Sequence, residues 1–225
     1  MKQTINIKVP TEWSAITLRQ YLKLLEDLKT YGDTDEGYAA ALLHNLCEFP
    51  PKYLYGLEAN VLSKIKNDIV TFMNKTDLPL QRFINIGGTE YGFEPNLSNI
   101  AYGAYLDISK WDTFQIDANC GKIMSVLYRP VVNKAAGLYE IKTYTGYIDD
   151  DTFLDVSMDI HFGALFFFVR LLTELPNATL NCLKEVPVLA PHIKSILATN
   201  GGTMLHLSNS PEEISAILMK SLNSH

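Results

Sequence analysis

The residues able to do chemistry are few and scattered. Three cysteines, Cys47, Cys120 and Cys182, lie far apart without a CxxC pair. That spacing speaks against a zinc site or a disulfide framework and for a reducing compartment. His44 sits within a helix-patterned stretch without a second His, Cys or carboxylate at ligand spacing, so it reads as an ordinary surface or core histidine. An enzyme reading would gain ground only if His44 or His161 stood against a nucleophile in a cleft. No GxSxG, HExxH, paired Cys/His or P-loop pattern occurs. No catalytic residue, cofactor site or metal site is therefore expected.

Two acidic runs invite a cation reading. Asp33-Thr34-Asp35-Glu36 lacks the alternating ligands, central Gly and terminal Glu of a calcium loop, and carboxylates suit the first turn of a helix. Asp149-Asp150-Asp151, continued by Asp155 and Asp159 as helical neighbours, has no phosphotransfer motif beside it. Gly87-Gly88 lacks both P-loop spacing and a following helix, and reads as a hairpin turn. Arg129 could bind an anionic ligand. Standing without a second basic residue, it fits better as a helix cap or as the partner of Asp107, Asp112 or Asp117.

The elements that would position these groups follow from periodicity. Ile5, Ile7 and Val9 alternate with polar residues, predicting a strand over Thr4–Val9 that Pro10 ends. Leu18, Tyr21, Leu22, Leu25 and Leu28 predict a helix with Thr17 as cap and Gln20 as its reciprocal partner, closing at a left-handed Gly32. Further helices are predicted over Tyr38–Phe49 and around Val61, Ile65, Ile69 and Phe72. Arg82–Ile86 and Glu90–Phe93 predict a hairpin. The stretch from Tyr91 to Pro130 organises the chain. In it, Asn96 or Ser98 caps a helix carrying Ile100, Tyr102, Tyr105 and Leu106, and a helix over Asn119–Leu127 halts at Tyr128-Arg129-Pro130.

Tyr139–Tyr144 alternates as a strand, and Asp155–Leu175 is apolar almost all round, predicting a buried helix. Ser210-Pro211-Glu212-Glu213 then opens a short amphipathic helix bearing Ile214, Ile217, Leu218 and Leu222. The fold class is α+β and predominantly helical, with short antiparallel strands and hairpins around the buried 155–175 helix. One body is expected over 1–175, with 176–225 as a helical appendage.

Composition narrows the function classes. A 47% hydrophobic and 20% charged content fits a packed domain rather than a disordered chain. The net charge of −6, with Lys and Arg dispersed, disfavours direct nucleic-acid binding. The apolar run Phe162–Val169 is far below the ~20 residues of a membrane span, and MKQTINIKVPTEW carries no signal-peptide core. A cytoplasmic site of synthesis and no membrane contact are expected.

Five segments in a fixed order carry a resemblance: VPTEWSAITLRQYLKL, YGFEPNLSNIAYGAYLDI, KIMSVLYRPV, YEIKTYTG and DVSMDIHFGALFFF. With these, most of residues 5–172 resembles a group of proteins encoded among the virion genes of tailed bacteriophages, notably crAss-like phages and their relatives. The resemblance implies a non-enzymatic structural protein of the portal–tail region, or one carried in the particle, made in the bacterial host cytoplasm. Its alternatives are a tail-assembly chaperone absent from the mature virion and a host-interaction binding module. The implied partners are portal, tail or ring subunits, or further copies in a symmetric assembly. The resemblance implies Trp13, Trp111 and Tyr128 as contact residues. Arg129, and Ile214 and Leu218 of the terminal helix, are further candidates read from the sequence itself; that helix lies outside the resemblance and can fold back or dock on a neighbouring subunit. No catalytic residue comes with the resemblance.

Overall fold

A reciprocal cap starts the first helix. The Thr17 hydroxyl accepts from the Gln20 amide at 3.2 Å, and Gln20 Oε1 accepts from the Thr17 amide at 2.9 Å. Helix α1 (Leu18–Tyr31) then buries Leu18, Tyr21, Leu24 and Leu28 along one stripe. Thr17→Ala removes the hydroxyl that accepts from the Gln20 amide and keeps the backbone amide that donates to Gln20 Oε1, and is expected to lower unfolding free energy by about 1 kcal/mol in urea titration. A loss below a few tenths would place the start of α1 under tertiary control instead. The computed structural model describes residues 6–75, 77–97, 100–111, 118–149 and 151–167. The appendage over 176–225, with Ile214 and Leu218, lies outside the described residues.

Gly32, expected in the left-handed region, has φ −71°. It is glycine for lack of space: a Cβ there would stand 2.4 Å from the Leu28 carbonyl oxygen. Helix α2 (Asp35–Cys47) starts at Thr34, whose hydroxyl accepts from the Gly37 amide at 3.0 Å, and Asp35 and Glu36 fill its first turn. The left-handed residue falls at Glu48, φ 53°, after α2. Helix α3 (Ala59–Met73) buries Ile65, Ile69, Phe72 and Met73 and leaves Val61 exposed.

Residues 6–10 form no strand. Ile7 and Val9 nevertheless pack partly buried against the first core. Their alternation set which side faces inward, but a strand also needs an edge to pair with, and among the described residues none pairs with this segment.

Four strands form an antiparallel meander in the order β1 (Phe83–Ile86), β2 (Thr89–Phe93), β3 (Tyr128–Ala135) and β4 (Leu138–Ile141). Gly87 (φ 57°) and Gly88 (φ 83°) make the two-residue turn of the first hairpin, both in the region where a side chain is disfavoured. The second hairpin turns through Ala136 and Gly137. The helix ends at Leu127, as expected ahead of Tyr128-Arg129-Pro130, and strand β3, unpredicted from the sequence, begins there. Helix α5 (Cys120–Leu127) passes directly into β3, where Pro130 lies opposite Tyr91 and its carbonyl accepts from the Lys142 amide at 2.8 Å. The expected strand over 139–144 is the shorter β4.

Helix α4 (Tyr102–Lys110) starts later than expected, at Ala101, without a side-chain cap. Helix α6 covers residues 158–167, and its continuation to Leu175 lies outside the described residues. Asp155 stands in the turn before α6, so it and Asp159 are not neighbours on a helix. The preceding segment is fixed to α1 instead: the Leu18 amide donates to Val156, the Arg19 amide to Leu154, and the Met158 amide to Ile16.

Helix α6 is the buried apolar helix of this α+β fold. Met158, Phe162 and Phe166 belong to a core with α1, α2 and α3, while Ala164 joins a second core of sheet, α4 and α5. A Cβ at Gly163 would meet the Pro79 carbonyl oxygen at 2.6 Å, so glycine lets the 78–79 segment cross α6.

Candidate functional site

Cys120 opens α5, and His161 lies one turn into α6. The cores that bury these two helices bring Cys120 Sγ to 3.5 Å from His161 Nδ1, across 41 positions of sequence. His161 Nε2 is 3.1 Å from the Phe153 carbonyl, which can only accept. Nε2 therefore carries the proton, and Nδ1 accepts from the thiol. Burial lowers the imidazole pKa to about 4, against smaller opposing effects of the Phe153 carbonyl and the Asp159 carboxylate.

This is the adjacency of base and nucleophile that the sequence left open, but without the cleft. Cys120 is 6% exposed and His161 1%. The arrangement packs the thiol against a neutral imidazole, so it can fix α5 against α6. It offers a substrate no approach.

A cleft lies elsewhere, between α1 and α2. It encloses about 620 Å³, and its wall includes Asp27, Asp33, Glu36 and His44. Asp27 already accepts from Asn45 Nδ2 at 2.7 Å, and Glu36 accepts from the Tyr55 hydroxyl. His44 is exposed on its wall, and neither Cys120 nor His161 lines the cleft.

Among the described residues Arg129 pairs with Glu94 rather than Asp107, through Nη2. Its guanidinium lies 5.7 Å from the Tyr144 ring centre, and its Nε is buried without a partner. Asp107 is reached one step further on: it accepts from the Tyr144 hydroxyl and pairs with Lys110 at 2.6 Å. These contacts, Lys110 first, hold the Asp107 carboxyl below its usual range. The chain of groups ties β3 to α4, and the arginine is structural in the described fold. Asp112 and Asp117 lie outside the described residues.

The second acidic run is divided between two cations. Arg19 pairs with Asp155 at 2.8 Å and Asp151 at 3.1 Å, and Lys122 pairs with Asp149 at 3.2 Å. Asp159 accepts from Gln81 at 2.7 Å. Among the described residues no group of three or more His, Cys, Asp or Glu is placed to hold a metal ion.

The aromatic contact residues are placed unevenly. Trp13 is 5% exposed and Tyr128 is fully buried, both inside the fold. Trp13 meets Phe162, Phe72 and Tyr21 edge-on, and Tyr128 meets Phe93 while its hydroxyl donates to the Gln81 carbonyl at 2.6 Å. In this fold they are core residues, a correction to their assignment as contact anchors. Trp111 is half-buried with its edge on Tyr147.

Two apolar surfaces went unrecognised. Residues 132–138 of the β3–β4 hairpin are all exposed, Val132 by 62% and Leu138 by 78%. On α4, Tyr102 and Tyr105 are 75% and 57% exposed, with Leu106 beside them. The second surface left a signal in sequence: Ala104 and Ile108 give α4 one apolar face, and Tyr102, Tyr105 and Leu106 give it another. Among the described residues no helix is long and apolar enough to cross a membrane. No family model, curated protein or solved structure matches the chain.

Proposed function

We propose that this chain is a non-enzymatic structural protein of a tailed-phage particle, in the portal–tail region or carried inside, working through contacts with other subunits. The observation that carries the reading is the β3–β4 hairpin. Its end exposes Val132 and Leu138, and β4 lies at the edge of the sheet, leaving one side of its backbone for a partner strand. The burial of the Cys120–His161 pair supports the non-enzymatic part. The phage setting rests on the resemblance of the five segments quoted above.

Mass spectrometry of gradient-purified particles tests this. The chain is expected at a copy number that is a multiple of a ring symmetry. Leu138→Asp is expected to lower its incorporation by about tenfold, the scale of a lost contact residue, while the isolated variant melts within about 2 °C of the parent. Abundance in lysate with absence from particles would replace the structural role by that of an assembly chaperone acting through the same hairpin. Absence from any phage-producing culture would overturn the reading.

A further inference from the structure

Strand β4 lies at one end of the sheet, and β3 occupies only one of its two edges. The Lys142 amide, continuing the strand, donates to the Pro130 carbonyl at 2.8 Å and so points at β3. Alternation turns the backbone groups of Tyr139, Ile141 and Thr143 the other way, where no hydrogen-bond partner meets them among the described residues. The side chains alternate as well. Tyr139 and Ile141 lie over Gly92, where a Cβ would stand 2.9 Å from each. Leu138, Glu140 and Lys142 therefore share the opposite face, and all three are exposed. Among the described residues neither Glu140 nor Lys142 has an ion pair or a side-chain hydrogen bond.

We infer that this free edge of β4 binds the same edge of a second copy of the chain, antiparallel, with Ile141 on the two-fold axis. The inference rests on the reading of the hairpin as a contact surface and names its partner. Charge complementarity selects both the partner and the register. An edge pairs with itself only where outward backbone groups meet outward backbone groups. Centred on Glu140, that pairing would set the carboxylate against its own copy, and centred on Lys142 it would oppose two ammonium groups. Centred on Tyr139, it would face Glu140 with Leu138. Only centring on Ile141 sets Glu140 opposite Lys142 of the second copy, and the two-fold axis repeats the pair. The backbone groups of Ile141 then meet those of its own copy, and those of Tyr139 meet Thr143.

Glu140 and Lys142 fall at a non-hydrogen-bonded position of this ladder, where facing Cα atoms approach to about 4.5 Å and side chains are closest. A lone lysine commonly guards a strand edge against pairing. With a carboxylate two residues before it on the same face, the guard becomes a match for an identical edge. Strand β1, at the other end of the sheet, has no charged residue between Phe83 and Ile86, so it carries nothing to select a partner or a register.

Sedimentation of the isolated full chain tests the inference without a particle. A dimer of twice the 25.3 kDa chain is expected, with a dissociation constant in the micromolar range that suits a short strand addition. Glu140→Lys or Lys142→Glu alone sets like charges opposite and should raise that constant at least about tenfold, each variant melting within about 2 °C of the parent. The exchanged chain Glu140→Lys/Lys142→Glu should dimerise like the parent. So should an equimolar mixture of the two single variants, since each then faces its opposite charge; an ion pair closed within one chain would not be restored by mixing. A parent chain still monomeric at ~500 μM would overturn the inference. Single variants that dimerise like the parent, a mixture that stays monomeric, or a mass that climbs beyond the dimer would also overturn it. A monomeric chain that still enters particles would do so while leaving the structural role intact. A dimer absent from every particle would keep the strand pairing and remove that role.

Discussion

Trp13→Ala is expected to lower the unfolding free energy by about 4 kcal/mol, within the range for deleting a buried tryptophan. The indole is held from three sides, with ring centres at 4.7 Å to Phe162, 5.5 Å to Phe72 and 5.8 Å to Tyr21. These neighbours belong to α6, α3 and α1, so one side chain joins three helices. Its Nε1–H donates to the Lys75 carbonyl at 3.2 Å, an acceptor the variant leaves without that donor. Trp13→Phe keeps an aromatic edge but not the donor or full volume, and should lose about half as much. Urea unfolding with an unchanged m value is the measurement. A loss under about 1 kcal/mol, together with failed assembly, would return Trp13 to the role of interface anchor.

The tryptophan shows where sequence reading stops. A large aromatic beside a turn satisfies a core and an interface equally, and only neighbours distant in sequence separate the two. Features closed within a few residues were legible: the Thr17–Gln20 cap, the Gly87-Gly88 turn and the stripe of α1. Features depending on distant partners were not. The alternation of Ile5, Ile7 and Val9 resembles a strand, but residues 6–10 pair with no strand among the described residues. Strand β3 was hidden because Pro130 argues against a central strand and Val131-Val132 do not alternate. For Arg129, local carboxylates suggested Asp107, while the hairpin geometry delivers Glu94 from 35 positions away. The Cys120–His161 contact was likewise beyond any spacing rule. Its two members are ordinary in sequence, and only the packing of α5 against α6 makes them a pair.

That pair is expected to make the fold sensitive to acid. The His161 imidazole has a folded pKa of about 4 against 6.5 when free. Between these values the unfolded chain binds a proton that the folded chain refuses, so stability falls as pH falls. The contribution is complete above pH 6.5 and lost on descending towards pH 4. At 1.36 kcal/mol per unit, the window is worth about 3 kcal/mol, most of it gone by pH 4.5. The structural reason is specific. Protonation would place a charge on a ring 1% exposed, and would leave Nδ1 unable to accept from the Cys120 thiol. Asp159, on the same helix, is the nearest compensating charge and opposes the shift only weakly. Asp155 and Asp107 also have lowered pKa values, from Arg19 and Lys110 respectively, and their contributions fade only below the carboxylate range. His161→Gln keeps a donor for Phe153 but cannot titrate. Urea unfolding of both chains from pH 7.5 to 4.5 should give curves that converge as pH falls, the parent losing up to about 1.4 kcal/mol more per pH unit. Parallel curves would mean that the imidazole already exchanges protons with solvent in the folded state. The thiol and imidazole would then be within reach of small molecules, and the non-enzymatic reading would lose its structural support.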